Sequence, residues 1–470
     1  MRKILVILFL ALSGTALAAV PAGSPGPDRI DSVNGVADTI RCGAGRDVVV
    51  ADLKDRVTAD CEVVTRRIAL DTTTVSGPQH RAIVEPSAAG DGSTVVTVFQ
   101  TGRYDNGGAA AIGWATTTDG GASWRRGVLV DAGTDRISDP VVARDTVNGM
   151  WIAAALAVLP TETQILVFRS TNGADWSPPV VAARATPLPG QRIGLDKEWV
   201  GCDNRPASPH RGTCYLAYTD ETSGRLGLQT SSDAGATWSA EVGITPAGGG
   251  PVGAIPAVAP DGTLVVVYAA ADLAGLGLEA VTSADGGATF AAPIRIAGVR
   301  SNSGVLRAPP LPSIAETTDG VAVVWPDCTA HLDCAANDIE LSLSADGRTW
   351  SPPRALAGTG DYLTPTIGAS GNTAAVVAYT RLAGSCCRLG VRLFRSTDGG
   401  TTWGRPTRLD VRPMDVLWLA RSLSDAVGGF LGDYQAVAFV GSRPMPVFAA
   451  AHAPSGTSLR QDLYATTRLP

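Results

Sequence analysis

From about Glu62 to the C-terminus, short runs of alternating or wholly apolar residues are separated by Gly- and Asp-rich turns, and few stretches carry a helical period. Thr94-Val95-Val96-Thr97-Val98-Phe99 is representative, because β-branched and aromatic residues suit a pleated surface. The same order returns in every unit. A strand opening through an acid or Pro is followed by a Gly/Asp turn, a second strand, a variable loop and a third strand. A Gly-rich box and a short fourth strand complete the unit. The pattern predicts an all-β fold.

The box sets the period. Ser396-Thr397-Asp398-Gly399-Gly400-Thr401-Thr402-Trp403 has relatives at Thr117–Trp124, Ser170–Trp176, Ser231–Trp238, Ser283–Phe290 and Ser344–Trp350. Its central Asp or Asn falls at positions 119, 172, 233, 285, 346 and 398, in steps of 53, 61, 52, 61 and 52. Asp and Ser oxygens can cap turn amides, the glycines admit positive φ, and Trp carries an apolar body into the next layer. One copy would be an ordinary turn, but six in register mark a repeated structural unit.

Four antiparallel strands per unit predict a β-propeller. Six three-strand sets precede the boxes and a seventh, Asp433 to Thr467, follows the last. Arg66 to Leu70 can supply the missing fourth strand and close the ring, which removes free sheet edges. The count favours seven blades, with six as the alternative if the last set packs outside.

The remaining segments sort by their own patterns. Residues 1–19 read as a secretory signal peptide: Arg2-Lys3, an apolar run from Ile4 to Leu12, and Ala16-Leu17-Ala18. That run is too short to span a bilayer, no later one is long enough, and a secreted, extracellular protein is expected. Residues 20–27 form a Pro/Gly linker. Residues 28–61 carry Asp28, Asp38, Asp47 and Asp55 at steps of 10, 9 and 8, and residues 62–470 form the propeller.

The 28–61 segment resembles degenerate repeats-in-toxin nonapeptides, whose turn carboxylates surround Ca²⁺. That likeness implies Asp38, Asp47 and Asp55 as calcium ligands. The alternative is a disulfide-stapled cap of stacked turns without metal.

Composition narrows the function. With 470 residues, 45% of them hydrophobic and 17% charged, the chain can bury a large core. A net charge of -6 argues against nucleic acid or an anionic membrane as partner. Export favours disulfides among the eight Cys: Cys42 with Cys61, and Cys202 with Cys214. Cys328, Cys334, Cys386 and Cys387 allow three pairings, of which one joining the two loops is preferred. No HExxH, phosphate loop or zinc-spaced Cys pair is present, and the four His are dispersed.

In a propeller, the loops opening each first strand converge with the loops joining strands two and three. Those positions here are Glu85, Asp139, Asp196-Lys197-Glu198-Trp199, Gly432-Asp433-Tyr434, Arg103, Asp327, His331 and Arg381. Carboxylates for acid/base work and Arg for an anionic substituent suit a sugar site. Capping and pairing between blades would account for the same acids.

The boxes make residues Arg66 to Leu469 similar to the bacterial neuraminidase repeat, or Asp-box, propellers of the sialidase superfamily. Asp-Lys-Glu-Trp at Asp196 to Trp199 and Gly-Asp-Tyr at Gly432 to Tyr434 add to the likeness. The superfamily's Arg-Ile-Pro signature is not reproduced at His80 to Pro86. The resemblance implies an exo-acting glycoside hydrolase that releases terminal acidic sugars from glycans, with no cofactor required for the chemistry. It implies Tyr434 as nucleophile, Glu198 as its helper, Asp196 or Asp433 as acid, and Arg103, Arg307 and Arg381 as a carboxylate clamp. The alternative is a non-catalytic propeller that binds glycans or proteins at the cell surface.

Overall fold

The computed structural model describes residues 23–470 except 74, 76, 131–135, 273–274, 305, 357–359, 386, 423–427 and 457. The expected signal peptide, most of the expected linker and Cys386 therefore lie outside the described residues. Among those described, the chain is all-β, with helix confined to two short 3-10 turns, Leu332–Cys334 and Val416–Trp418. No described helix is long and apolar enough to cross a membrane.

Hydrogen bonding groups the strands into antiparallel sets of four. The first is Gln79–Asp91, Thr94–Arg103, Ala109–Thr117 and Arg125–Val130. Further sets open at Arg136–Asp145, Leu195–Cys202, Val252–Val258, Ser313–Thr317 and Tyr362–Ser370. Ala436–Val440, Arg443–Ala451 and Gln461–Arg468 make the last, and Val63–Ala69 pairs antiparallel with its third strand. Opening strands pack against one another in chain order, and Ala436–Val440 returns to Gln79–Asp91. Among the described residues no hydrogen-bonded sheet closes on itself, although the single bridges Ile137↔Ala109 and Gln461↔Ala82 join some sets.

The second strands explain how the sets hold together. Leu264 to Ala270 is buried at every position, as expected of a strand covered on both faces. Val265 and Val267 pack with Ile314, Val321 and Val323 of the next set. Near the middle, neighbouring backbones meet without room for a side chain. A Cβ on Gly90 would lie 2.1 Å from the Phe439 carbonyl oxygen, and one on Gly368 would lie 2.3 Å from that of Val437.

The repeated boxes are hydrogen-bonded turns on this scaffold. Ser396 donates to Asp398 at 2.7 Å and accepts the Gly400 amide at 2.9 Å, while Asp398 accepts the Thr402 amide at 2.8 Å. Trp403 Nε1 closes the turn on the Gly400 carbonyl at 2.9 Å. The box at Asp119 repeats this network, and its hydroxyl and amide donors overcome burial to hold that carboxylate down to about 2.

The N-terminal segment stacks in parallel. Arg29–Ser32 pairs with Val48–Asp52, which pairs with Val63–Ala69, and Thr39–Ile40 pairs with Arg56–Val57. Ile30, Ile40, Val49 and Val57 fill the stack beside the Cys42–Cys61 disulfide. Because Val63–Ala69 belongs both to this stack and to the last antiparallel set, one sheet joins strands from either side of the 61/62 boundary.

Disulfides Cys42–Cys61 and Cys202–Cys214 are present. The preferred bridge between the two later loops is overturned: Cys328 bonds Cys334 within its own turn. Six residues of separation suffice because the 3-10 turn brings the two Cα atoms to 4.8 Å. Cys387 is also disulfide-bonded.

Candidate functional site

Opening strands of four sets carry bulges at matching positions. Register shifts between Val84 and Ser87, Ser138 and Val141, Asp196 and Trp199, and Leu363 and Thr366. Pro86, Pro140 and Pro365 fall inside three of these shifts, where a missing N–H costs no ladder bond. At the bulges Glu85, Asp139, Lys197 and Thr364 take φ of 52°, 50°, 53° and 49°. A non-Gly residue held there costs roughly 1–3 kcal/mol, and such strain clusters at functional sites. A bulge re-aims a side chain, and these bring Glu85, Asp139 and Lys197 together.

Lys197 is the hub of an ion network. Its ammonium lies 2.5 Å from Asp433, 3.4 Å from Asp139 and 3.8 Å from Glu85. Arg307 donates to both Asp433 oxygens, at 3.1 and 2.7 Å. Burial opposes charge on Asp433, yet Lys197 and Arg307 hold it well below the usual carboxylate range. Glu85, which also accepts from Gln100, is pushed up to about 7 by burial, with Lys197 pulling the other way. Burial would lower Lys197, but the surrounding carboxylates keep it well above its ordinary value.

Next to this network is a cavity of about 230 Å³, whose wall includes Arg103, Arg136, Arg192, Arg307, Glu85 and Asp196. Arg103 is 2% exposed, donates to the Gly108 carbonyl at 3.1 Å, and has no carboxylate in salt-bridge range among the described residues. Its Nε has no hydrogen-bond partner there either. A buried guanidinium in that state is costly, and an anion in the cavity would relieve it. Asp196 is half-buried in the same wall, and its carboxyl is pushed up to about 7 by burial and by Asp139.

A smaller neighbouring cavity of about 30 Å³ shares Asp139 and Lys197 with the first and adds Glu198, Trp199 and Tyr434. The Tyr434 hydroxyl donates to the Pro140 carbonyl at 3.0 Å, and its ring meets Trp199 edge-on at 5.3 Å. Burial, then the Glu85 charge, raises that phenol well above its ordinary value. Glu198 is 1% exposed, and neither of its oxygens has a hydrogen-bond partner among the described residues. Burial and Asp139 drive its carboxyl well above the usual range.

No family model matches the chain, and no curated protein does. Solved glycosidase structures resemble it. A leech intramolecular trans-sialidase complexed with 2,7-anhydro-Neu5Ac matches at 14% identity over 67% of this chain and 68% of that one, with a TM-score of 0.47. An intramolecular trans-sialidase from Ruminococcus gnavus matches at 14% identity, 68% and 94% coverage and a TM-score of 0.46. A variant α-L-arabinofuranosidase from Fusarium graminearum matches at 15%, with 73% and 97% coverage and a TM-score of 0.47. At these values the likenesses assign no substrate and no residue role to this chain.

Asp196, Glu198, Asp433, Tyr434, Arg103 and Arg307 all line the two adjoining cavities. Arg381 lines neither: its guanidinium pairs with Asp361, with one contact at 2.9 Å, and its Nη2 also donates to the Asn302 carbonyl at 3.3 Å. It is therefore not brought together with the other two arginines. Asp47 accepts the Asp28 amide at 2.7 Å, Asp55 accepts the Asp38 amide at 2.9 Å, and Asp38 accepts from Asn34 at 2.7 Å. Each carboxylate bonds the neighbouring coil or its own turn, and no group of three metal-ligating side chains occurs among the described residues.

Sequence patterns did not single out Arg136, Arg192 or Phe430. Arg136 reaches the cavity wall from the start of strand Arg136–Asp145 and Arg192 from a bend ahead of strand Leu195–Cys202; Arg136 donates to Gly107 at 2.6 Å and Arg192 to Asn106 at 3.3 Å.

Proposed function

We propose that the chain is a secreted β-propeller glycoside hydrolase of the sialidase type, with seven blades, acting on terminal acidic sugars. The observation that carries this is Arg103: a buried guanidinium without a carboxylate partner, facing a cavity it shares with Arg307 and Asp196. Arg103 and Arg307 would grip the sugar carboxylate through paired N–H donors. Asp196, titrating near neutrality, would protonate the departing glycosidic oxygen. Asp433 would fix Lys197 and Arg307 in place.

Tyr434 with Glu198 would supply the nucleophile, provided the bond from Tyr434 to Pro140 is exchanged when substrate binds. That same bond favours a second reading, in which the cavity binds acidic glycans without cleaving them. Release of fluorophore from a sialoside, by the wild type and by Asp196→Asn and Tyr434→Phe, separates the two. Turnover lost in both variants supports the hydrolase. Binding without turnover in the wild type supports the second reading, and neither binding nor turnover overturns both.

A further inference from the structure

The segment from Gly429 to Tyr434 crosses the site like a strap. Gly429–Phe430 pairs with Ala420–Arg421, Leu306 bridges Gly429, and the Arg307 amide donates to the Gly429 carbonyl at 3.0 Å. Further along, the Glu85 amide donates to Leu431, and Asp433 reaches Lys197 and Arg307. Between these anchors sits Phe430, fully buried at 0% exposure and fixed through its carbonyl by Gln461 at 3.1 Å.

Two guanidiniums meet this one ring. The Arg103 carbon lies 4.5 Å from the ring centroid and the Arg307 carbon 5.0 Å. Burial first, and then the charge of Arg307, lowers the proton affinity of Arg103, and a phenyl face is a neutral surface that attracts both cations. Asp433 fixes Arg307 from another side. Arg103 has no such carboxylate, and its hydrogen bonds run to Gln100 and Gly108 at 3.4 and 3.1 Å.

We infer that Phe430 is a positioning residue: its ring holds Arg103 beside Arg307 in one cavity wall, so that both can grip a single sugar carboxylate. This rests on the proposed function, since it takes the anionic sugar as ligand. Phe430 itself is fully buried and lines neither cavity.

The test uses N-acetylneuraminic acid as probe in calorimetric titrations of the full chain. Phe430→Leu keeps apolar bulk and removes the π face, whereas Phe430→Tyr keeps the face. An exposed-to-desolvated cation–π range predicts roughly tenfold weaker binding in Phe430→Leu, with Phe430→Tyr close to wild type. A second readout needs no ligand. Ring-current shifts on the Arg103 and Arg307 Nε–H resonances should be present in the wild type and in Phe430→Tyr, and absent in Phe430→Leu.

Wild-type binding with Phe430→Leu within twofold of it overturns the inference and leaves the proposed function standing. Equal losses in Leu and Tyr variants, or arginine resonances without ring-current shifts, overturn it as well. A wild-type protein that does not bind the sugar acid overturns the inference, and one that also fails to turn over the sialoside overturns the proposed function with it.

Discussion

Replacing Lys197 by Met should destabilise the protein strongly and in a pH-dependent way. The ammonium is within 4 Å of Glu85, Asp139 and Asp433, whose side chains are at most 6% exposed. Removing one partner from a buried ionic cluster costs about 3–5 kcal/mol, because the remaining charges lose compensation. Arg307 still neutralises Asp433, so the uncompensated carboxylates are Glu85 and Asp139. That loss is a large part of the roughly 5–15 kcal/mol available to a folded domain.

The sign of the pH effect follows from Glu85. Its folded value is already raised to about 7 from 4.5, and Lys197 is the main influence lowering it. Without Lys197, proton uptake by the folded state extends to higher pH. A carboxyl raised in the folded state contributes stability that is complete below its unfolded value and is lost as pH rises through its folded value. The deficit of Lys197→Met should therefore be smaller at pH 5 than at pH 8. Urea denaturation followed by Trp fluorescence at both pH values measures it. A deficit under about 1 kcal/mol at pH 8, the range of an exposed pair, would refute the hub role. So would a deficit equal at both pH values.

Other consequences are narrower. If Asp196 is the acid, turnover falls as pH rises through about 7, since the protonated form is the active one, and a flat profile from pH 5 to 9 would exclude it. Asp196→Asn should lower kcat by about 10²–10⁴, the usual contribution of a general acid, measured on a fluorogenic sialoside. Gly368→Ala places a Cβ 2.3 Å from the Val437 carbonyl oxygen. It should cost about 1–3 kcal/mol as overpacking, and an unchanged Tm would contradict the close approach of the opening strands. Because turn carboxylates of residues 28–61 already bond backbone amides or turn side chains, EDTA should leave the Tm unchanged. A downward shift restored by Ca²⁺ would support calcium ligation by Asp38, Asp47 and Asp55.

The scaffold was legible because its signals are local. Each box, opening with Ser or Thr two residues before its Asp or Asn, encodes its own hydrogen bonds, so the turns around Asp119 and Asp398 could be read without knowing what lies beside them. Pro86, Pro140 and Pro365 likewise signal interruptions in the strands that lead to the site. The partnerships inside the site were less accessible, since they join residues hundreds of positions apart. Asp433 could be named as a candidate acid, but not its bond to Lys197, which instead holds it ionised. Arg381 shares a residue type with Arg103 and Arg307, and what separates it from them is its place outside both cavities, where it pairs with Asp361. Phe430 carries no motif, and its meaning comes from two arginines that reach it from other parts of the chain. Cys328 bonds Cys334 because of a local turn that cysteine counting alone does not reveal.

The most direct measurement compares N-acetylneuraminic acid with its methyl ester in calorimetric titrations at one ionic strength, on the wild type and on Arg103→Met. If the cavity is built for a sugar carboxylate, the acid binds at least about tenfold tighter than the neutral ester, in keeping with 1.5–3 kcal/mol for a charged hydrogen bond. That preference disappears in a folded Arg103→Met variant. Equal binding of acid and ester by the wild type, or a preference that survives the loss of Arg103, would contradict it.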